Sequence, residues 1–291
     1  MKEQARKIYK LLQLNVLNFV HFDRIVDLIN KENPDIVTFQ EVSENNLMRS
    51  SSFADTSAYT GKDYIQELTN RTNLKYGQFF KSWGVNFSNN TKSNWGVGIF
   101  SKYPIVDYNY FYDQQSPTYF ISEKERDPFF MSENKKIRDV YSMQKPSAFA
   151  CALLSLDNVL VKVYTGHFAI SELCTETLQR INQVKQLISF IDNQKLFPTI
   201  ISADFNMTED GLSISSLKSR YTYLTPNIKN TLNKKIHPAF DQNRAIRGLV
   251  FEDLKVDHVF GKKINLIESY TDEDSHVSDH LPVFVKFEIN S

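Results

Sequence analysis

Nowhere in the 291 residues do eighteen apolar side chains follow one another, so the sequence offers no helix able to lie across a bilayer. Cysteine is nearly absent. Cys151 and Cys174 are too few for a disulfide framework, which leans toward a reducing compartment. A surplus of either charge is missing as well. Lysine and arginine number 34 and aspartate and glutamate 34, so no overall field draws the chain to nucleic acid or anionic membrane, and any such attraction must come from a local patch. The N-terminal stretch MKEQARKIYKLLQLNVLNF lacks a clean apolar h-region and a small-residue cleavage site. We therefore expect a cytoplasmic protein, or a secreted one from which a leader has been removed, and a monomer. Repeats, low-complexity tracts and linkers are also missing, and 41% hydrophobic residues suffice for a sizeable core. One domain over residues 1–291 is the economical reading.

What is present is a series of short apolar runs. YKLLQLNVLNF, FDRIVDLINKENP and DIVTFQEV come first. In the middle one Phe22, Ile25, Val26 and Ile29 recur at i, i+3, i+4 and i+7, predicting an amphipathic helix stopped by Asn33 and Pro34. Its neighbours are short and β-branched and predict strands. NWGVGIFSKYPI predicts a buried strand with a proline turn after it, and SAFACALLSL with VLVKVYTGHF predicts a hairpin closed by Asp157 and Asn158. Leu178, Ile181, Val184, Ile188 and Ile191 predict a second helix. TIISADFNMT, KVDHVFG and SDHLPVFVKFEI add strands, so the fold class is α/β with parallel and antiparallel pairing. Two stretches, 106–146 and 207–250, are polar and without strong period and read as long loops of the kind that carry function.

The strands end in polar groups. Asn15, Glu41, His167, Asp204, Asn206, Asp257, Asp279 and His280 each fall where an apolar run meets a loop. Carboxylates gathered at one sheet edge repel unless a cation or protons neutralise them. Carboxylate and amide oxygens without thiolates favour a hard ion, Mg²⁺ or Mn²⁺, which completes its shell with water and phosphate oxygens. The chemistry suggested is metal-assisted hydrolysis of a phosphate ester.

QLNV, PDIVTFQEV, TGHF, SADFN, KVDHVF and SDHLPV, in that order, resemble the endonuclease/exonuclease/phosphatase superfamily of deoxyribonuclease-like enzymes, from about residue 11 to residue 287. The resemblance implies a four-layer sandwich of two mixed β-sheets flanked by helices, with the active site at one rim. It implies a metal site of Asn15, Glu41 and Asp279, with Glu41 the main ligand. Asp204 would orient or deprotonate the attacking water, and Asn206 would bind that water or a phosphate oxygen. His167 would contact the phosphate. His280 would stabilise the charge growing there, held by Asp257. One departure stands out: Ala203 occupies the position where the family usually has glycine.

Taken singly, each of these residues has a structural reading: turn or cap for Glu41, Asp204 and Asn206, a satisfied histidine for His167, a surface strand residue for Asp257. The order of six motifs outweighs those readings. His258 should point away from Asp257 and be structural. The substrate is less determined. Inositol-phosphatase signatures are missing, since DFNM and KVDH stand where they would be. Tyr108, Tyr110, Phe111, Tyr112, Tyr119, Phe120, Phe129, Phe130 and Tyr141 alternate with Lys124, Arg126, Lys135, Lys136 and Arg138 in the stretch 106–146. That mixture suits stacking on a nucleic acid strand, or a peripheral lipid contact with DPFFM at its tip. We expect a Mg²⁺-dependent nuclease or phosphodiesterase. A phosphoesterase for phospholipids or small phosphorylated metabolites is the alternative, and a non-catalytic binding module the second, against which the intact constellation argues.

Overall fold

The computed structural model describes residues 7–44, 63–86, 92–113, 118–120, 146–170, 174, 176–237 and 254–290. The chain begins with β1 (Tyr9–Asn15), α1 (Phe22–Glu32) and β2 (Ile36–Ser43). Phe22, Ile25, Val26 and Ile29 are all buried, and Asn33 caps α1 in the left-handed region that asparagine tolerates. Next come α2 (Tyr64–Arg71), β3 (Tyr76–Asn86), β4 (Lys92–Ser101), β5 (Ile105–Tyr112), β6 (Thr118–Phe120), β7 (Ala148–Leu156) and β8 (Val159–Gly166). Asp157 and Asn158 both take positive φ, 48° and 71°, which matches a two-residue turn to the twist of the expected β7–β8 hairpin. The remainder is α3 (Leu178–Asp192), β9 (Thr199–Asp204), α4 (Leu212–Lys218), β10 (Thr222–Tyr223), β11 (Asp257–Lys262), β12 (Ile264–Thr271) and β13 (Val283–Ile289).

The strands form a seven-stranded sheet, β12-β13-β1-β2-β4-β3-β6, and a six-stranded sheet, β10-β11-β9-β8-β7-β5. Both are mixed. β1 runs parallel to β2 and antiparallel to β13, and β8 runs parallel to β9 within otherwise antiparallel pairings. Strand alternation then produces layers. Leu11, Ile36, Val163, Ile200 and Val259 meet between the sheets. Leu12, Leu14, Phe39 and Phe100 pack outward under α1 and α2, and Tyr164, Ile201 and Phe260 pack outward under α3 and α4. The result is the expected four-layer sandwich of two mixed sheets flanked by helices.

Three local expectations change. β5 occupies the start of the stretch read as a loop from residue 106, and α4 and β10 lie within the one read from residue 207. β5 escapes notice because its aromatics serve both faces: Phe111 stacks on Phe149 and touches Phe190, while Tyr108 and Tyr110 lean on Phe80. In α3 the buried stripe is Arg180, Gln183, Val184, Leu187, Ile188 and Ile191, whereas Leu178 is 80% exposed. The helix is turned so that Gln183 accepts from the Ala169 N–H and Arg180 donates to the Ala169 carbonyl, partners on another segment. No helix among the described residues is long and apolar enough to cross a membrane.

Candidate active site

Continuing the alternation that buries Leu11, Ile36, Val163, Ile200 and Val259 carries Gln13 and Asn15, Thr38 and Gln40, Thr165, Ser202 and Asp204, and Asp257 into the same interlayer. The space between the sheets is therefore apolar at one end and polar at the other. Asp204 and Asp257 are direct partners in the β9–β11 register, and Asn15 opposes Gln40 across β1 and β2. Ala203 and His258 point to the opposite face. Ala203 packs in the outer core, so the methyl group that replaces the family's glycine lies away from the site.

Asp204 is wholly buried, and each of its oxygens accepts a hydrogen bond. Its Oδ1 accepts from the Asn206 backbone N–H at 2.8 Å and its Oδ2 from Asn15 Nδ2 at 3.1 Å. The Nε2 of His167 lies 3.4 Å from Oδ2, and that of His280 3.8 Å. Asn206 takes φ 52° and donates from Nδ2 to the Phe168 carbonyl at 2.9 Å, tying the exit of β9 to that of β8. Its remaining amide capacity has no partner among the described residues.

Asp257 links the sheets. Oδ2 lies 2.9 Å from His280 Nδ1, and Oδ1 accepts from Gln13 Nε2 at 2.8 Å. Gln13 Nε2 also reaches Gln40 Oε1 at 2.8 Å, and Gln40 donates in turn to Thr165 Oγ1 at 2.9 Å. His280 feels opposing influences. Burial lowers the proton affinity of its imidazole, but the charges of Asp257 and Asp204, the hydrogen bond to Asp257 and the charge of Asp279 outweigh it and raise the pKa well above the usual value. His258, one residue along from Asp257, goes the other way. Burial, aided by the Lys255 charge and only partly offset by the Met207 carbonyl and Glu209, pushes it down to about 4, and its nitrogens meet Tyr223 Oη at 2.8 Å and the Met207 carbonyl at 2.9 Å.

Glu41 sits in an irregularity of the β2–β4 pairing with φ 51°, a backbone state costly for a long side chain. Its carboxylate is 27% exposed and takes no hydrogen bond from the described residues, and His167 Nε2 lies 3.9 Å away. Asp279 reaches the same rim through Ser278, whose hydroxyl lies 3.1 Å from Asp279 Oδ1 and donates to the Asn15 carbonyl at 2.7 Å.

The match to the model of the Endonuclease/Exonuclease/phosphatase family spans residues 12–280, from β1 through the Asp279-His280 pair. The chain belongs to that family. Its members are metal-dependent hydrolases of phosphate esters, and this chain is one of those enzymes. An uncharacterized protein, L388, of Acanthamoeba polyphaga mimivirus is 26% identical over 310 residues, covering 96% of this chain and 100% of that one. Among solved structures, an endonuclease/exonuclease/phosphatase from Beutenbergia cavernae superposes with TM-score 0.67 at 14% identity, covering 98% of this chain and 72% of that one. TDP2 of D. rerio complexed with single-strand DNA product gives TM-score 0.60 at 11% identity over 97% and 99% of the two chains. The mannosyl-6-phosphatase Bt3783 of Bacteroides thetaiotaomicron gives 0.57 at 14% identity over 96% and 99%.

Family members generally use a divalent metal, and the residues here fit one. Glu41 is a largely covered carboxylate without a hydrogen-bond donor among the described residues, and the oxygens of Asp204, Asn15 and Asp279 share its rim. Neither cysteine belongs to a candidate ligand group among the described residues, and burial pushes the thiols of Cys151 and Cys174 up to about 12 and about 11. The family's motifs pointed to all eight expected residues but missed Gln13, Thr165, Ser278 and His237. A glutamine in an otherwise apolar strand was the signal for Gln13. His237 had none, being in the stretch read as a loop, yet its ligand atom lies within 4.8 Å of those of Asp279 and His280. Of the stretch 106–146, Tyr108 and Tyr110 stand 52% and 47% exposed, and Phe111 is packed. Lys124, Arg126, Phe129, Phe130, Lys135, Lys136, Arg138 and Tyr141 lie outside the described residues.

Proposed function

We propose that this chain is a Mg²⁺-dependent phosphodiesterase that cleaves nucleic acid, acting as a single catalytic domain. The observation that carries the reading is the setting of Asp204, a buried carboxylate with each oxygen pinned by an amide and an imidazole on either side. Such a group is oriented before substrate arrives, which is what a base acting on water requires. Asp204 aligns the water and takes its proton. Asn206 offers its spare N–H and carbonyl to that water or to a phosphate oxygen. His167 contacts the phosphate, and the imidazolium of His280, fixed by Asp257, faces the charge that grows on it. Asn15, Glu41 and Asp279 would hold the hard cation, which when bound supplies Lewis-acid stabilisation of that charge.

Nucleic acid as substrate is supported by TDP2, whose structure carries single-strand DNA product, and by the half-exposed rings of Tyr108 and Tyr110, suited to stacking on bases. The similarity to Bt3783, named a mannosyl-6-phosphatase, favours a small phosphorylated metabolite as the second reading. A panel of plasmid, single-stranded DNA, RNA, phosphoinositides, sphingomyelin and sugar phosphates separates them. We expect turnover of a nucleic acid that stops with chelator and returns with Mg²⁺ or Mn²⁺. Turnover confined to sugar phosphates would transfer the assignment to the second reading, and full activity in excess chelator would remove the metal from it.

A further inference from the structure

Beside the array around Asp204 lies a second group, which shares Asp279 and His280 with the proposed chemistry and adds His237, a residue that chemistry does not use. Ligand atoms of His237, Asp279 and His280 all fall within 4.8 Å of one another, and Glu41 is not part of the group. We propose that His237, Asp279 and His280 form a transition-metal site next to the phosphoester site, and that Zn²⁺ held there takes His280 out of the reaction.

The backbone brings these residues together by a strap. The turn that carries His237 is bound to the loop that carries Asp279 and His280. Asn233 donates from its backbone N–H to the Asp279 carbonyl at 2.7 Å, and from Nδ2 to the carbonyls of Ser275 at 2.9 Å and Ser278 at 3.0 Å. His237 follows within the same turn, its N–H on the Asn233 carbonyl at 2.8 Å.

His280 supplies the independent sign that something is to be bound. Its Nδ1 is committed to Asp257, and the residue is only 5% exposed. Its Nε2 has no hydrogen bond among the described residues, the nearest carboxylate oxygen, Asp204 Oδ2, being 3.8 Å away. That nitrogen is left open to a further ligand. A carboxylate on the far nitrogen is also how metal-ligating imidazoles are commonly oriented.

The donor set selects the ion. Two imidazoles and one carboxylate suit Zn²⁺ and its transition-metal neighbours, whereas Mg²⁺ prefers oxygen alone. Metal–ligand bonds of about 2.0–2.2 Å require the donor atoms to close to roughly 3.3 Å from one another. The rings of His237 and His280 stand 6.1 Å apart at 72°, so a modest rotation of the less buried His237 is enough. Both His237 and Asp279 are half-buried, leaving a way in from solvent. Ligation at Nε2 of His280 releases its proton to solvent, and a nitrogen bonded to zinc can no longer meet a phosphate oxygen. The binding half of the proposal stands on geometry alone, and the inhibitory half rests on the role given to His280 above.

The test separates the two. Metal-free protein is titrated with Co²⁺, whose ligand-field spectrum reports nitrogen ligation, and the Co²⁺ is then displaced with Zn²⁺. His237→Gln should weaken both ions at least about tenfold, in the range that losing part of a metal site typically costs. His237→Cys should restore tight binding with a thiolate-to-cobalt band, which guards against a folding defect in the first variant. In turnover assays at saturating Mg²⁺, Zn²⁺ should inhibit the native protein, and His237→Gln should need at least about tenfold more for the same inhibition at an unchanged zinc-free rate. Unaltered Co²⁺ affinity and spectrum in His237→Gln would overturn the site. Zinc that binds through His237 without slowing turnover would overturn the switch.

Discussion

The two ends of the space between the sheets are built from the same strands at the same spacing, yet they differ in kind. At one end Leu11, Ile36, Val163, Ile200 and Val259 form a sealed apolar layer. Two residues further along the same strands stand Gln13, Thr38, Thr165, Ser202 and Asp257, hydrogen-bonded across the gap. The apolar end holds the sheets together without directing any atom. The polar end adds little net stability, since each bond replaces one to water, but it fixes where carboxylates and imidazoles point. One backbone pattern thus serves cohesion and aim according to the side chains placed on it.

The largest effect that tests this contrast is on the rate. Asp204→Asn and His280→Ala should each lower kcat by at least about 10² while the fold persists, because each removes a group to which the proposed function gives a role in the transition state. The double variant should fall well short of the product of the two losses. Multiplicative losses would mean that the residues do not share a site. At the other end, Ile200→Ala should destabilise the fold by about 2–5 kcal/mol in denaturant melts and leave kcat unchanged. A large loss of kcat in folded Ile200→Ala would erase the distinction.

Gln13→Leu extends the apolar end by one step and is the sharper probe. Asp257 loses a donor from the opposite sheet, so kcat should drop about tenfold with KM little changed, as for a group that orients another. Stability should fall by about 1–3 kcal/mol for each buried acceptor left without its donor, Asp257 Oδ1 and Gln40 Oε1. Unfolding without loss of rate per folded molecule would make Gln13 a packing residue.

The smallest effect belongs to His258 on the outer face of β11. Its folded pKa of about 4 lies below the usual 6.5, so between those values the unfolded chain binds more protons and stability falls as the pH falls. From pH 6.5 to 5.5 this histidine should cost about 1 kcal/mol, and His258→Gln should flatten that limb of a stability–pH curve. An unchanged slope would mean that the imidazole is not held neutral.

Much of this was legible beforehand. The strand ends, α1 and the eight rim residues follow from short apolar runs that stop at carboxylates, amides and imidazoles, and the order of motifs supplies the layers. What was not legible depends on partners distant in sequence. Gln13 looks like an interruption until Asp257 and Gln40 face it. Arg180 and Gln183 defeat the periodicity of α3 because the Ala169 backbone takes them inside. β5 hides its strand character by placing rings on both faces, and His237 stands near His280 only because Asn233 straps one loop to another. Local pattern encodes which way a side chain points, and topology decides what it meets.

The placement of β1 between β2 and β13 bears on how the enzyme comes to exist. Tyr9 pairs with Phe287, nearly the full described length away, and Leu11 pairs with Ile36 on its other side. A ribosome has therefore released almost all of this sequence before this interior strand of the larger sheet finds its second neighbour. Until then β1 presents a bare apolar edge that invites pairing with other chains. Contacts so remote in sequence make for slow folding. Because Asp279 and His280 lie just before β13, the proposed catalytic rim is completed in the same late event that closes the sheet, and a chain that lacks β13 should show no hydrolysis.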